Sequence, residues 1–373
     1  MAWGDSPSDP DQLRLMREAG LNVSGFCELA DLEKVSAAGL SCFVTDPRVK
    51  GYQWDHMPAQ DVLRRNIAPV ARVVRENPAA LGFFLDDEPG AASYPGLARV
   101  ADLLKHAAPG KWPYINLLPS YASRSQLGAA NYEDYVREYI RTVHPPFLSY
   151  DNYSLLNGRM DERFYVNLEI IRRMALEAGI PFWNIILANS HYSYMEPTDA
   201  TLRLQVYSTL AYGGRGIEYF TYITPDAGNF RLAAIDAFGH RTPTWYMLRR
   251  VNDEVRVLAP WLVKLHSTGV YHSAPAPPQS KPISASAFVE HITAHVLGAQ
   301  PRFLLGEFAD GQGAPYLMLV NEDLSRSMNF QITLRAPAAK LQCISPYSGE
   351  PQPLDSAMEW LAPGAGVLLR VQQ

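Results

Sequence analysis

Three acids stand side by side in Leu85-Asp86-Asp87-Glu88-Pro89-Gly90, directly after the apolar run Leu81–Leu85. Carboxylates packed this closely cannot all ionise cheaply, so at least one is expected to keep its proton to a higher pH than an isolated acid would. A carboxylic acid of that kind can protonate a leaving-group oxygen, and with a second carboxylate opposite it can break an acetal. Two residues offer that second group: Asp151, in Ser149-Tyr150-Asp151-Asn152-Tyr153, and Glu196, in His191-Tyr192-Ser193-Tyr194-Met195-Glu196-Pro197. A carboxyl separation of about 5 Å would make the second group a nucleophile, and one of about 6.5–9.5 Å would leave room for a water. The sequence leaves both outcomes open, and it leaves open whether Glu196 instead favours the start of the next helix. Glu218 falls early in its own apolar run and is expected to lie too deep to reach a substrate.

Around these acids fall side chains suited to a polyhydroxylated ligand. Asp46, Asn116, Asn152, Asn189 and His191 carry groups that read hydroxyls, and His56 follows Trp54-Asp55 in a loop. Trp54, Tyr150, Tyr153 and Tyr222 carry rings on which the apolar C–H faces of a sugar can pack, each with a polar tip. These ten residues form the expected substrate-binding set, with Glu88, Asp87, Asp151 and Glu196 as the candidate catalytic acids. Asp46, Asp55 and His56 lack the spacing of metal ligands, and no nucleotide or phosphate loop is present, so neither metal nor cofactor is expected.

The elements that must position these residues are legible as an alternation. Short apolar runs at Ala2–Gly4, Asn22–Cys27, Ser41–Asp46, Leu81–Asp86, Pro113–Leu118, Phe147–Asp151, Phe182–Ala188 and Ile217–Tyr222 read as eight strands. Segments with apolar residues at helical spacing separate most of them, as in Val62–Glu76, Glu133–Val143 and Phe164–Ala178. Strand–helix alternation implies a parallel sheet, and eight such units are the number that closes a (β/α)8 TIM barrel. Its catalytic groups lie at the C-terminal strand ends, where Asp46, Asp87, Glu88, Asn116, Asp151 and Tyr222 fall. The pattern then changes. Ser273–Ser284 is rich in Pro, Ser and Ala, and short β runs with turns follow: Ala294–Leu297, Phe303–Phe308, Tyr316–Asn321, Met328–Leu334, Lys340–Ile344 and Gly366–Val371. The expected division is a barrel over 1–268, a linker or crossing segment over 269–285, and a small antiparallel β-sandwich over 286–373.

With 373 residues, 47% of them hydrophobic, the chain can bury sizeable cores, and its net charge of −5 with no basic stripe excludes a nucleic-acid reading. No apolar stretch of about 18 residues spans a membrane. No export signal is visible at the N-terminus, which leaves a secreted, periplasmic or cytoplasmic location open, as the oligomeric state also is. Of three cysteines, Cys27 and Cys42 fall on consecutive strands as small core residues, and Cys343 stands apart.

Asp87-Glu88-Pro89 at the end of the fourth run resembles the Asn-Glu-Pro signature of clan A glycoside hydrolases, with Asp87 where that clan has Asn. The resemblance implies that Glu88 is the general acid/base. The plan of barrel followed by a small β domain is similar to family 42 β-galactosidases and their agarase-like relatives, and Tyr212-Gly213-Gly214-Arg215-Gly216-Ile217-Glu218-Tyr219-Phe220 resembles their entry into the eighth strand. It implies a retaining β-glycosidase, β-galactosidase-like, that cleaves O-glycosidic bonds of plant- or algal-type oligo- or polysaccharides without a cofactor. One departure is plain: the clan's nucleophilic Glu ends the seventh strand, and Phe182-Trp183-Asn184-Ile185-Ile186-Leu187-Ala188-Asn189 has no carboxylate. The departure motivates a second expectation, a non-catalytic carbohydrate-binding protein on a barrel scaffold. The adjacent Asp87-Glu88 pair is also similar to that of substrate-assisted hexosaminidases, in which one carboxyl orients the substrate's acetamide and its neighbour is the acid.

Overall fold

The computed structural model describes residues 1–295, 300–354 and 359–372. The chain forms two compact units, one of Met1–Asn152, Arg173–Ile185 and Glu218–Tyr222, the other of Tyr153–Arg172, Ile186–Ile217 and Ile223–Gln373.

The first unit is built on strands β1 (Val23–Cys27), β2 (Ser41–Val44), β3 (Ala80–Asp87), β4 (Trp112–Leu117) and β5 (Leu148–Asp151). A short hairpin, β6 (Leu155–Leu156) and β7 (Arg159–Met160), precedes β8 (Phe182–Leu187) and β9 (Gly216–Phe220). The seven longer strands make one sheet in the order β1-β2-β3-β4-β5-β8-β9, with parallel pairing from β1 through β8. Side chains from its strands and from just beside them meet in one aromatic cluster. Phe26 stacks on Phe84 at 3.8 Å between centroids, Phe147 stacks on Trp183 at 4.6 Å, and Phe43 and Tyr114 lie between. Strands that far apart in the order share a core only if the sheet curls on itself, as in a TIM-like barrel.

Seven regular strands are present where the sequence predicts eight. The missing one is the N-terminal segment, which lies where a first strand belongs but makes isolated bridges, Ala2 with Tyr219 and Asp5 with Phe26. Trp3 N–H donates to the Tyr219 carbonyl at 3.0 Å, and Phe26 N–H donates to the Gly4 carbonyl at 2.9 Å, so this segment joins the two edge strands of the sheet. Its regular pairing is interrupted because β1 changes register between Val23 and Phe26. At that break Gly25 adopts φ +110°, and a Cβ there would meet the carbonyl oxygens of Gly4 and Ala2. Next to it, Cys27 and Cys42, expected as small core residues on consecutive strands, are joined in a disulfide between β1 and β2.

Ten α-helices are described in the two units, most of the longer ones following the apolar periodicity. They are α1 (Pro10–Glu18), α2 (Leu32–Ala37), α3 (Pro47–Lys50), α4 (Gln60–Glu76), α5 (Tyr94–Ala107), α6 (Arg124–Leu127), α7 (Tyr132–Val143), α8 (Arg163–Ala178), α9 (Asp199–Ala211) and α10 (Pro243–Leu262). Asp9 caps α1 by accepting from the Asp11 amide at 2.8 Å, with Pro10 in the first turn. The short α2, α3 and α6 escape a periodicity reading, since four to six residues make less than two turns.

The second unit contains α9, α10 and two further sheets. Strands β10 (His266–His272), β11 (Lys281–Pro282), β13 (Phe303–Ala309), β14 (Pro315–Asn321), β16 (Lys340–Ile344), β17 (Pro351–Pro353) and β19 (Gly366–Gln372) form the larger, in the order β11-β10-β13-β14-β19-β16-β17. Strands β12 (Val289–His295), β15 (Met328–Leu334) and β18 (Trp360–Leu361) form the smaller. Apart from the parallel pair β10–β11, the pairings are antiparallel, and both sheets contribute to one apolar core that includes Phe303, Leu317, Met328 and Phe330. The stretch 269–285 is thus not all irregular, because β10 and β11 lie within or overlap it. Part of the run expected at 294–297 lies outside the described residues. Helix α9 is buried almost all round because β13, β14 and β19 pack on it, and a Cβ at Gly306 would meet the Ala211 carbonyl.

If the N-terminal segment is what joins the sheet edges, Gly25→Ala destabilises the protein by about 2–4 kcal/mol, because a side chain at positive φ must displace that segment. Urea unfolding followed by tryptophan fluorescence measures it, and a loss below about 1 kcal/mol counts against the role given to the segment.

Candidate active site

Strand register sets the first contact of the site. Asp87 pairs with Asn116 across β3 and β4, and Asn116 pairs with Ser149 across β4 and β5. Side chains two residues apart on a strand share a face, so Tyr114 and Asn116 point one way on β4, as Ser149 and Asp151 do on β5. The Asn116 amide nitrogen then donates to two carboxylates at once, Asp87 Oδ1 and Asp151 Oδ1, each at 3.0 Å. Its carbonyl oxygen accepts from Ser149 Oγ at 3.1 Å. Below, Tyr114 donates to Glu218 Oε2 at 2.8 Å and Ser149 Oγ lies 3.1 Å from Glu218 Oε1.

Glu88 completes the group. Its carboxyl is a close neighbour of Asp151, so that the charge on Glu88 helps Asp151 to hold its proton. Neighbouring carboxyl groups cannot both ionise cheaply, so one of them keeps its proton to a higher pH. The Glu88 backbone sits at φ +51°, a left-handed conformation that costs a non-glycine residue about 1–2 kcal/mol. Its N–H donates to the Asn116 carbonyl at 2.9 Å, and on the far side of Pro89 the Tyr135 hydroxyl donates to the Pro89 carbonyl at 2.8 Å. The strain is therefore held by the same strand that holds the acids, as expected where a side chain must be aimed.

The electrostatics follow from burial. Asp151 is 6% exposed, and burial, reinforced by the negative charge of Glu88, pushes its carboxyl well above the usual range. Asp87 and Glu88 reach solvent, yet the protein around them thins the water they see and raises both. The charge of Asp87 adds to the rise of Glu88, while the Asn116 amide and Lys50 oppose that of Asp87. Asp86 is pushed up to about 6 by burial, against the Trp54 indole that bonds to it and the nearby Lys50. Glu218, fully buried, is pushed up to about 7 by burial, against its bonds from Tyr114 and Ser149.

Other predicted residues of this unit have different duties. Asp46 caps α3 and grips Arg48 through two bonds of 2.8 and 2.7 Å, which holds its carboxyl below the usual range. Trp54 serves Asp86. His56 is exposed and paired with Asp55 at 3.0 Å. Tyr150 and Tyr222 are buried, Tyr150 on the opposite face of β5 from Asp151, and Asn152 is buried just past the strand end. Asp86, Lys50, Tyr114, Ser149 and Glu218 were not in the predicted set. Alternation along β4 and β5 is the signal that could have found Tyr114 and Ser149; Lys50 has none.

The remaining predicted residues belong to the second unit and form their own group. His191 is buried, stacked on Phe230 at 4.5 Å, and its Nδ1 lies 2.8 Å from Asn189 Oδ1. Burial lowers its pKa. Tyr153 meets the His191 ring edge-on at 6.1 Å. Glu196 is taken up by Arg231 in a pair of 3.2 Å with its side chain 59% exposed. Among the described residues no group of three or more His, Cys, Asp and Glu could hold a metal, and no helix is long and apolar enough to cross a membrane.

No protein-family model and no curated protein matches this sequence. Solved structures do resemble its fold. A glycoside hydrolase family 5 protein from Bacteroides vulgatus aligns over 100% of this chain and 89% of its own at 11% identity, with a TM-score of 0.59. The β-galactosidase of the psychrophilic Marinomonas ef1 aligns over 70% of this chain at 11% identity and a TM-score of 0.51, and the alignment spans 60% of that longer chain. A GH5_18 protein from Streptomyces cattleya, solved in complex with Manβ1-4GlcNAc, aligns over 68% of this chain and 80% of its own at 11% identity, with a TM-score of 0.51. The fold is therefore one that glycoside hydrolases use, and at this identity the likeness is of fold alone.

A raised carboxyl in the folded state works against stability as the pH climbs. Asp151 binds its proton more tightly folded than unfolded, so its contribution falls as the pH rises from about 4 through its folded pKa. Asp151→Asn removes that loss. The variant is expected to melt several degrees above the parent at pH 8, with the gap closing towards pH 4. Thermal melts at both pH values decide it, and a variant less stable than the parent at pH 8 contradicts the burial argument.

Proposed function

We propose that this protein is a glycoside hydrolase in which Glu88 is the general acid/base and Asp151 its partner. The observation that carries the reading is the cluster of Asp87, Glu88 and Asp151 gathered around Asn116 at the C-terminal ends of parallel barrel strands, with Glu88 and Asp151 as neighbours. An acid that keeps its proton above the usual carboxylate range beside a second carboxyl is the equipment that acetal cleavage needs. As an entering sugar parts the two groups, the proton held at Asp151 passes to Glu88, which gives it to the glycosidic oxygen as the bond to the anomeric carbon breaks, and the ionised Asp151 takes up that carbon. Water, deprotonated by Glu88, then releases the sugar. The two groups are neighbours in the free protein, and retention calls for a separation of about 5–5.5 Å, whereas inversion needs about 6.5–9.5 Å. That they are neighbours supports the retaining course, and it supports Asp151 over Glu196, whose carboxylate is engaged by Arg231. The substrates proposed are oligo- or polysaccharides of plant or algal type, β-galactosides first. That choice rests on the resemblance of Asp87-Glu88-Pro89 and of the chain's plan to the β-galactosidase relatives, with the fold likeness in support.

One observation favours a second reading. Asn116 fixes Asp87 beside Glu88, an arrangement suited to holding a substrate's own acetamide for attack while Glu88 protonates the leaving group.

Aryl β-galactosides and aryl N-acetyl-β-glucosaminides, tested in parallel, separate the two. Glu88→Gln is expected to lose about 10²–10⁴-fold in kcat with its fold intact. Glu196→Gln should stay within about twofold of the parent, the range of a surface change. If azide restores turnover to Asp151→Ala on a galactoside, Asp151 is the nucleophile. Cleavage confined to the acetamido sugar, with Asp87→Asn as damaging as Glu88→Gln, selects the substrate-assisted course instead. No turnover on any glycoside, with sugar binding retained in Glu88→Gln, turns the reading to a carbohydrate-binding protein.

A further inference from the structure

We propose that Glu218 is a positioning residue for this site, acting through the Ser149 hydroxyl to fix which way the Asn116 amide faces and so how Asp87 and Asp151 are held. The inference deepens the glycosidase reading of the same site and rests on it for its kinetic consequences.

The argument is a count of protons. Asn116 serves Asp87 and Asp151 only while its NH2 faces them; a flipped amide sets its oxygen against two carboxyl groups. What holds it unflipped is a donor for its oxygen, and Ser149 Oγ is that donor at 3.1 Å. Ser149 has a single proton, however, and three neighbours within reach: Asn116 Oδ1, Glu218 Oε1 at 3.1 Å and the Tyr114 hydroxyl at 2.8 Å. If Glu218 is charged, Ser149 and Tyr114 both donate to it, because bonds to a charged acceptor are the stronger ones, and the Asn116 oxygen loses its donor. If Glu218 carries a proton, it donates to Ser149 Oγ, Ser149 donates to Asn116, and Tyr114 donates to the second oxygen of Glu218. Donors then run one way from Glu218 to Asp87 and Asp151.

The groups that face Glu218 are few. They are Tyr114 from β4, Ser149 from β5 and the buried α-amino group of Met1 in the N-terminal segment. Burial favours the protonated form up to about pH 7, and the Met1 amine opposes it. A buried carboxyl that the proposed chemistry does not use thus has a structural reason to stay neutral.

Carbon-13 NMR titration of side-chain carboxyls, on the parent and on Ser149→Ala, Ser149→Thr and Glu218→Gln, tests this without substrate. Ser149→Ala is expected to raise the titration of the Glu88–Asp151 pair by about one pH unit, because Asp151 loses a reliable N–H donor. Ser149→Thr, which keeps the hydroxyl, restores the parental value. Glu218→Gln, whose amide donates to Ser149 without titrating, leaves the pair where it was and removes the carboxyl step near pH 7. On a cleaved glycoside, Ser149→Ala lowers kcat about tenfold at unchanged KM, roughly the size of one lost hydrogen bond. A Ser149→Ala protein with the parental pair titration overturns the proposal. So does a Glu218→Gln protein that shifts the pair as far as alanine does at 149. Because the titration needs no turnover, a protein that cleaves no glycoside defeats the functional reading and leaves this test standing.

Discussion

One amide holds the acids of this site together. Asn116 donates to Asp87 and to Asp151, and its main-chain carbonyl takes the N–H of Glu88. Three like-charged groups crowd the ends of neighbouring strands, and without donors between them they would repel one another and seek water. The amide lets them stay close, and the cost of their closeness is borne as raised pKa values rather than as disorder. That is what makes them chemically interesting, since an acid that holds its proton above the usual carboxylate range is one that can give it away usefully.

Such a site is only as accurate as the strands beneath it. Asp87 meets Asn116 because β3 and β4 pair in that register, and a slip of one residue would turn every side chain to the other face. The register is guarded by the packed aromatic interior of the curled sheet and by the N-terminal segment that bonds to both edge strands, which Gly25 allows to approach. The left-handed Glu88 is tolerable for the same reason. A rigid frame on either side over-determines one strained residue.

The fold is shared with glycoside hydrolases at 11% identity. This is expected of a barrel. Its interior asks only for apolar side chains at alternating positions, a demand that many sequences meet, while its chemistry resides in a few residues at strand ends. A second unit with its own core obeys the same economy. Helix α9 carries apolar residues on every side and little amphipathic signal because a sheet covers it, and Gln205 within it satisfies the Leu187 backbone in both directions.

Strand–helix alternation, the change of pattern after about residue 265 and the run Asp86-Asp87-Glu88 were all readable from local spacing, because periods of two and of 3.6 residues and a cluster of like charges are properties of neighbours along the chain. Asn116 and Asp151 were readable too, as polar residues at the ends of apolar runs. What spacing could not say is which strand ends stand beside one another and in what register. That set Asp151 beside Glu88 and gave Asp46 a duty towards Arg48. It set Glu196 in a pair with Arg231 and drew Cys27 and Cys42 into a bond. It also placed Glu218, which the sequence put deep in the barrel, beneath Ser149 and Asn116, three hydrogen bonds from the acids. Residues 29 to 104 positions apart are brought into hydrogen-bond contact there by the curl of the sheet. A long-range pairing of that kind leaves no periodic mark on the chain that makes it.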